Sequence, residues 1–185
     1  QRQMCIRDRT RRQQIDYRTP IKFGGRVVRD VTAVDAKVLV EDRQGRRETG
    51  FGSMTMGTVW AWPSPSLDAT ATLSAMLEFV EVLTERVNGI EEIGDPLQLT
   101  LQMAAEYLDI RSVIGGSLGD EKAMPQLAAL VAASPVEAAI HDAFGRLQQR
   151  SAFACLGTEW INQDLSHFLN AVSYTHLTLP TRAQV

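Results

Sequence analysis

The sequence predicts an α+β fold, an antiparallel β-hairpin or meander followed by a bundle of helices, and three observations indicate it. Apolar and polar residues alternate over Val34–Val40, the period-2 pattern of a strand with one buried face. Apolar residues then recur at helical spacing over Leu73–Val87. A third segment, Ser134–Arg150, opens with residues that are typical of a helix start. The β region therefore occupies the first half of the chain, and the helical region occupies the second.

The β region contains one clear hairpin with a loop before it. After Val40, the segment EDRQG supplies turn residues, and Gly45 can adopt positive φ, so the chain is expected to return as a strand over Glu48–Met54. The preceding segment, Arg18–Gly25, contains Pro20 and two glycines and predicts a loop that enters the hairpin. A strand that pairs with this hairpin is expected upstream of the loop. Part of that strand is expected to be missing from the chain.

The helical region contains three predicted helices. The first has one apolar face and stops at Gly89. A shorter helix follows Asp95-Pro96, and its apolar residues are expected to point inward: Leu97, Leu101, Ala104, Ala105 and Leu108. The last helix is predicted to begin with Ser134 as N-cap, Pro135 at its first position and Glu137 completing a capping box.

Two loops carry the residues best suited to contact a ligand. The connection Ser53–Pro63 holds Trp60 and Trp62, which are costly to leave in water, so they either pack under the first helix or contact a ligand or second domain. In the earlier loop, Lys22 lies beside Phe23 and either offers a cation to an anionic ligand or is an ordinary solvated lysine. Both alternatives remain open for each loop.

Catalytic and metal-binding candidates are sparse. His141 and Asp142 are adjacent on a predicted helix, where side chains point about 100° apart, so a structural role is favoured for both. His167 with Asp164 and Glu159 lacks a known ligand spacing, and the glycines of KFGG and TGFGSM lack a phosphate-loop pattern. The sequence therefore assigns no catalytic residue and no metal ligand.

The two ends of the chain resemble translated adapter DNA. One permitted codon set for Gln1–Arg9 has a reverse complement that encodes Val-Ser-Tyr-Thr-His-Leu-Thr-Leu, which is Val172–Leu179. This element resembles the transposase-end adapter of sequencing libraries. Residues 1–9 and 172–185 are therefore expected to be artefacts that must be left out of fold reasoning, and residues 10–171 to be a fragment of a natural protein.

Composition limits the classes of partner. Without the charged residues of those ends the formal charge changes from −3 to −6, which argues against a nucleic-acid or anionic-membrane partner. Only Cys155 then remains, so a disulfide framework is excluded and a reducing, cytoplasmic location is expected. No uninterrupted apolar run approaches the roughly 20 residues of a membrane span.

Several motifs follow one another in a specific order. An R-x-P-I-K-F-G segment leads into the long strand, a strand with two glycines follows, and an A-A-I-x-D-A-F-G helix runs into C-L-G. In this order they resemble the N-terminal capping domain of the enolase superfamily, in the mandelate racemase and muconate lactonizing enzyme branch. The matching residues are Arg18, Pro20, Ile21, Lys22, Phe23, Gly24, Gly45, Gly50, Gly52, Ala138, Ala139, Asp142, Ala143, Gly145, Leu156 and Gly157. Ser53 and Thr158 depart from the pattern, which bears on the subfamily.

The resemblance implies a function for the parent protein. Such enzymes pair an α+β cap with a (β/α) barrel whose carboxylates hold Mg²⁺, and a barrel base removes the α-proton of a carboxylate substrate. Two cap loops close over the barrel mouth, which implies substrate contact by Lys22, Phe23, Met54 and Trp60. The parent is expected to be an isomerase or lyase (racemase, dehydratase or cycloisomerase) acting on a hydroxy-acid or sugar-acid, and a homo-oligomer.

The barrel is missing from this chain, so the fragment itself is expected to be inactive and to expose a broad apolar patch. The alternative is a self-contained α+β module that binds a ligand or protein through the Trp60/Trp62 loop.

Overall fold

The computed structural model describes residues 5–23, 25–90, 93–118, 124–164 and 167–168. A three-stranded antiparallel sheet has the order β1-β2-β3, and the helices that follow pack on one of its faces. The strands are β1 (Cys5–Phe23), β2 (Arg26–Glu41) and β3 (Arg47–Thr55). The helices are α1 (Thr58–Ala61), α2 (Ala69–Asn88), α3 (Pro96–Ser117) and α4 (Gln126–Leu147), followed by a 3₁₀ helix (Ala152–Cys155). The predicted α+β class is confirmed.

The hairpin of β2 and β3 is the predicted one. Val34, Ala36, Val38 and Val40 are all buried on one face of β2, as their alternation indicated. Gly45 closes the turn with a φ of +74°, a conformation that glycine adopts without a Cβ penalty. β3 then pairs with β2 from Arg47 to Thr55.

The predicted loop over Arg18–Gly25 is wrong. β1 continues to Phe23 and β2 starts at Arg26, so a second tight hairpin takes its place, with Gly25 at a φ of +78°. Pro20 lies where the β1–β2 register shifts, between Asp16 and Ile21, a position at which the missing proline N–H breaks no ladder bond.

The strand β1 also contains Cys5–Arg9, which sequence analysis left outside the fold. These residues pair with Lys37–Glu41 of β2. Their adapter origin stays a prediction, and residues 172–185 lie outside the described residues.

Close contact between β3 and α4 holds the sheet to the helices. A Cβ on Gly52 would lie 2.0 Å from the carbonyl oxygen of Pro135, and one on Gly50 would lie 2.0 Å from that of Ala139. The glycines therefore let the backbones of strand and helix touch. Asp142 stabilises this contact by accepting a 2.9 Å hydrogen bond from the Phe51 N–H. The structural role expected for Asp142 is confirmed.

The predicted start of the last helix at Ser134 is wrong. α4 begins at Gln126 and runs through Pro135. Proline has no N–H for the carbonyl of Val131, four residues earlier, and the Ser134 hydroxyl donates a 2.8 Å hydrogen bond to that carbonyl instead. A serine beside the proline thus allows the helix to continue where the pattern predicted its beginning.

The helix α3 begins as predicted, but its buried face was assigned wrongly. Asp95 caps it in a capping box with Gln98, and Pro96 is its first residue. The side chains that point inward are Leu99, Met103, Tyr107, Ile110 and Ile114. Leu101 and Leu108 are 43% and 65% exposed. α3 therefore carries two apolar stripes, and at 22 residues it is longer than α2, not shorter.

By length and composition α4 could cross a membrane, but 61% of its most apolar window is buried inside the fold. This burial is what the central helix of a globular core shows. α2 ends at Gly89, as predicted.

Candidate functional site

The first candidate region is an arm formed by β1 and the first half of β2. β3 pairs with β2 only from Ala33 onward, so Arg26–Val31 has β1 as its single strand partner in the described chain. Most side chains of this arm, residues 11–31, are exposed. The arm places its tip away from the three-stranded part of the sheet.

Lys22 and Phe23 lie at the tip of the arm. Both side chains are exposed, Phe23 at 51%, and Phe23 pairs with Arg26 across the turn. Ile21 and Val27 are also exposed there, at 49% and 58%. The tip thus combines a cation with apolar groups open to solvent, a composition suited to contact with an anionic, partly apolar molecule.

Met54 and Trp60 lie on the other predicted segment, which is not one continuous loop. β3 extends to Thr55, and α1 contains Trp60. Met54 is half-buried against the core. Trp60 is 40% exposed, and its indole lies over Gly57, where a Cβ would come within 2.1 Å of Nε1.

The two tryptophans differ in their exposed fraction. Trp62 is only 6% exposed and belongs to the core, as the packing interpretation predicted, whereas Trp60 stays accessible. A ligand-gripping role for Trp62 is therefore wrong.

A groove separates the arm from the start of the helices. It has a volume of about 360 Å³. The arm forms one wall with Arg26–Thr32, and Met56–Val59 with Ala69, Thr70 and Leu73 forms the other. We name it the arm groove. Of the two segments that the sequence selected, only Ser53–Pro63 contributes residues to this groove, and Lys22, Phe23, Met54 and Trp60 do not line it.

A second, larger groove lies between α3 and α4 and was not predicted as such. Its volume is about 830 Å³. Residues from three elements line it: Leu97, Leu101 and Ala104 of α3, Ala138 and His141 of α4, and Ala152, Phe153 and Leu156 at the 3₁₀ helix. We name it the helical groove. Phe153 is 86% exposed, so the groove opens an apolar surface to solvent.

The polar residues of the helical groove are oriented by the fold. Glu137 accepts a 2.6 Å hydrogen bond from the Tyr107 hydroxyl, and burial together with this carboxylate raises the pKa of Tyr107. Burial lowers the pKa of His141, although the carboxylate of Asp95 partly opposes the shift. Among the described residues of the groove, these contacts form no nucleophile–base pair.

The buried carboxylate of Asp95 ties the end of the described chain to α3. Its Oδ1 accepts from the N–H groups of Leu97 and Gln98, and its Oδ2 accepts from the N–H of Asn162 at 2.8 Å. The Asn162 side chain also donates to Gln98. Residues after the 3₁₀ helix are therefore held beside the helical groove.

A metal centre is not formed by the described residues. Among them, no group of three or more His, Cys, Asp and Glu side chains converges as ligands would. The described residues thus do not fit a resident Mg²⁺ ion.

Comparisons with known proteins give similarity at the level of solved structures. No family model matches the chain. No curated protein matches it either. A dipeptide epimerase from Enterococcus faecalis V583, complexed with Mg and L-Leu-L-Tyr, has 15% identity and a TM-score of 0.45, over 84% of this chain and 35% of that one.

Two further structures are similar. An enolase from Bradyrhizobium, complexed with magnesium and mandelic acid, has 17% identity and a TM-score of 0.43 over 84% of this chain and 35% of that one. A mandelate racemase/muconate lactonizing enzyme from Roseovarius nubinhibens, described as putative, has 17% identity and a TM-score of 0.35, over 75% and 29%. The chain spans about a third of the length of these enzymes. All three TM-scores lie below 0.5, so family membership remains a proposal.

Proposed function

We propose that this chain is the capping domain of a Mg²⁺-dependent enzyme of the enolase superfamily, in the mandelate racemase and muconate lactonizing enzyme branch. The parent enzyme would remove the α-proton of a small hydroxy-acid or sugar-acid carboxylate, as a racemase, dehydratase or cycloisomerase. Residues 10–171 would form the cap and the start of the barrel region. The cap by itself would not catalyse the reaction.

The observation that carries this proposal is the exposed apolar surface of the helical groove. Leu101 and Phe153 line this groove and are exposed. Contiguous apolar surface of this kind marks an interaction site in soluble proteins. An apolar surface of this kind, between α3, α4 and the 3₁₀ helix, supports the assignment to a cap without its barrel.

The motifs of the resemblance support the proposal through their packing. The paired glycines of β3 contact the small residues of α4, and Asp142 bonds to the strand between those glycines. The glycine motif of β3 and the helix motif of α4, which were two separate motifs of the resemblance, therefore form one interface between strand and helix. Their role is to set the distance and angle between sheet and helices, and so the placement of the arm and of α1.

In this proposal the cap contributes contacts that shape the substrate site. Lys22 would offer a cation to the substrate carboxylate or to a second anionic group, and Phe23 and Trp60 would exclude water from the barrel mouth. Met54, half-buried on β3, would support that surface. Mg²⁺, held by the barrel, would stabilise the enediolate; none of the described residues would ligate it. A cytoplasmic, homo-oligomeric parent completes the proposal.

The test uses the product of the genomic locus from which the chain derives. Incubated with Mg²⁺ in D₂O with a panel of hydroxy-acids and sugar-acids, it should exchange the α-proton of at least one acid, whereas the 185-residue chain should not. Lys22→Ala and Trp60→Ala should raise KM with a smaller effect on kcat, and Lys37→Ala, exposed on the three-stranded part of β2, is the matched control. Exchange by the 185-residue chain would overturn the proposal.

The second candidate function is a self-contained binding module, and the exposure of Trp60 favours it. Trp60 is accessible on a short helix and could bind a ligand without a second domain. This module should be monomeric and well behaved at high concentration. Concentration-dependent self-association that Phe153→Ser relieves would instead favour the cap.

A further inference from the structure

The strand β2 has a free edge in its first half. Ala33–Glu41 is hydrogen-bonded to β1 on one side and to β3 on the other. β3 leaves the sheet after Met56, whose N–H donates to the Thr32 carbonyl at 2.8 Å. Beyond that bond, no described residue pairs its backbone with the second edge of Arg26–Val31. A free edge presents N–H and C=O groups to which another strand can bond.

This edge opens into the arm groove. Val27, Val28 and Val31 line the groove together with Met56 and Leu73 of the opposite wall. Both walls therefore carry apolar side chains, the arm wall interleaves them with Arg26, Arg29, Asp30 and Thr32, and the backbone of the edge is polar. An extended segment satisfies both requirements, because its backbone pairs with the edge and its alternate side chains reach the apolar walls.

Charge determines which extended segment fits. Residues 11–30 contain six cationic and two acidic side chains, in a chain with a formal charge of −3. Arg26 and Arg29 are exposed on the edge strand itself, and neither forms an ion pair within the described residues. Pairing with the same edge of a second copy would bring four arginines together. An acidic segment would instead be attracted.

We propose that the β2 edge Arg26–Val31 binds an extended, acidic segment of a partner protein as an added strand in the arm groove. The partner backbone would supply the hydrogen bonds that β3 supplies further along β2. Its carboxylates, on one face, would lie near Arg26, and its apolar residues, on the other face, would contact Val27 and Val31 beside Arg29. This interaction requires neither a barrel nor a metal. Its test is therefore independent of the test of the proposed enzyme function.

The first test measures binding of a fluorescein-labelled peptide, acetyl-Glu-Val-Glu-Val-Glu-Val-Glu-amide, to the full 185-residue chain by anisotropy. Saturable binding is expected. The double variant Arg26→Glu/Arg29→Glu should weaken it by about tenfold or more, because it places like charges opposite the peptide. Arg11→Glu/Arg18→Glu is the matched control, with the same change of net charge on the other strand of the arm. Circular dichroism verifies that both variants fold.

The second test addresses backbone pairing without changing the protein. Successive N–H groups of a strand point to opposite sides, so methylating the nitrogens of all Glu residues or of all Val residues blocks one side at a time. The two methylated peptides should differ in affinity by about tenfold or more.

Four results would overturn the proposal. They are no binding of the unmethylated peptide, equal affinity of the two methylated peptides, equal weakening by the two double variants, and a stable dimer in sedimentation that excludes the peptide. The last result would assign the edge to a second copy of the chain.

Discussion

The two sides of α4 differ in how completely they are covered. On its β3 side, Ala139 and Ala143 lie so near Gly50 and Gly52 that the two backbones touch. On its α3 side, Ala138 and His141 line an open groove of about 830 Å³. The first side holds the fold together and the second faces solvent. One helix thus separates the residues that make the domain from those that we assign to contact with a partner.

The comparison also shows where a substitution should matter. A change on the covered side must move backbone atoms, because interiors are packed to crystal-like density. A change on the open side has only water to displace in the isolated chain. Stability measurements should therefore separate the two sides clearly.

The largest effect on the two sides of α4 is expected from Gly52→Ala. The new Cβ would lie 2.0 Å from the Pro135 carbonyl oxygen and 2.8 Å from the Ala139 nitrogen, so β3 and α4 must move apart. We expect a loss of roughly 3 kcal/mol in the free energy of unfolding, measured by urea denaturation.

Gly116→Ala is the matched control for that substitution. Gly116 lies in α3, and a Cβ added to it would meet no atom within 4 Å, so the same change should stabilise the chain by about 0.5–1 kcal/mol through helix propensity. Equal effects of the two substitutions would contradict the close contact between β3 and α4.

An intermediate effect is expected from pH at His141. Its pKa is lowered by burial, so the unfolded chain binds the proton more readily and stability is lost as the pH falls through about 6.5 toward the folded pKa. His141→Gln should lose less stability than the wild type between pH 7 and pH 5. Thermal denaturation at both pH values measures this, and identical pH dependence of the two proteins would contradict a lowered pKa for the half-buried His141.

The smallest effect is expected from Leu108→Ala on the outer stripe of α3. Leu108 is 65% exposed, so the change should alter the free energy of unfolding by less than about 0.5 kcal/mol. Leu99→Ala, on the inner stripe of the same helix, should cost about 2–5 kcal/mol because Leu99 is fully buried. Similar costs for both leucines, by urea denaturation, would show that the outer stripe is covered in the isolated chain.

Local patterns were sufficient for the hairpin of β2 and β3 and for α2. Alternation at Val34–Val40 and the turn at Gly45 depend on neighbouring residues only, and so does the stop at Gly89. The sequence did not predict the helix boundary at which a side chain replaces a missing backbone hydrogen bond. Pro135 indicated a helix start, and the hydrogen bond from Ser134 that permits the helix to continue is visible only in three dimensions.

The error on α3 has the same origin. Leu97, Leu101 and Leu108 form a proper helical stripe, but so do Leu99, Met103 and Ile110, and periodicity alone cannot decide which stripe the core will cover. An apolar pattern on all sides of a helix was the signal that could have revealed the helical groove. For the candidate site, the sequence selected Ser53–Pro63, part of which lines the arm groove, but it did not select the opposite wall or the free edge of β2, which follows from the strand register.

The most direct test of the cap assignment is hydroxyl-radical footprinting of the 185-residue chain and of the product of its genomic locus. Phe153 is 86% exposed in the helical groove, and Leu127, 48% exposed near the start of α4, serves as the reference. If a barrel covers the helical groove, oxidation of Phe153 and Leu101 should fall severalfold in the genomic product while that of Leu127 stays unchanged. Equal oxidation of Phe153 in the two proteins would contradict the assignment of this surface to a second domain.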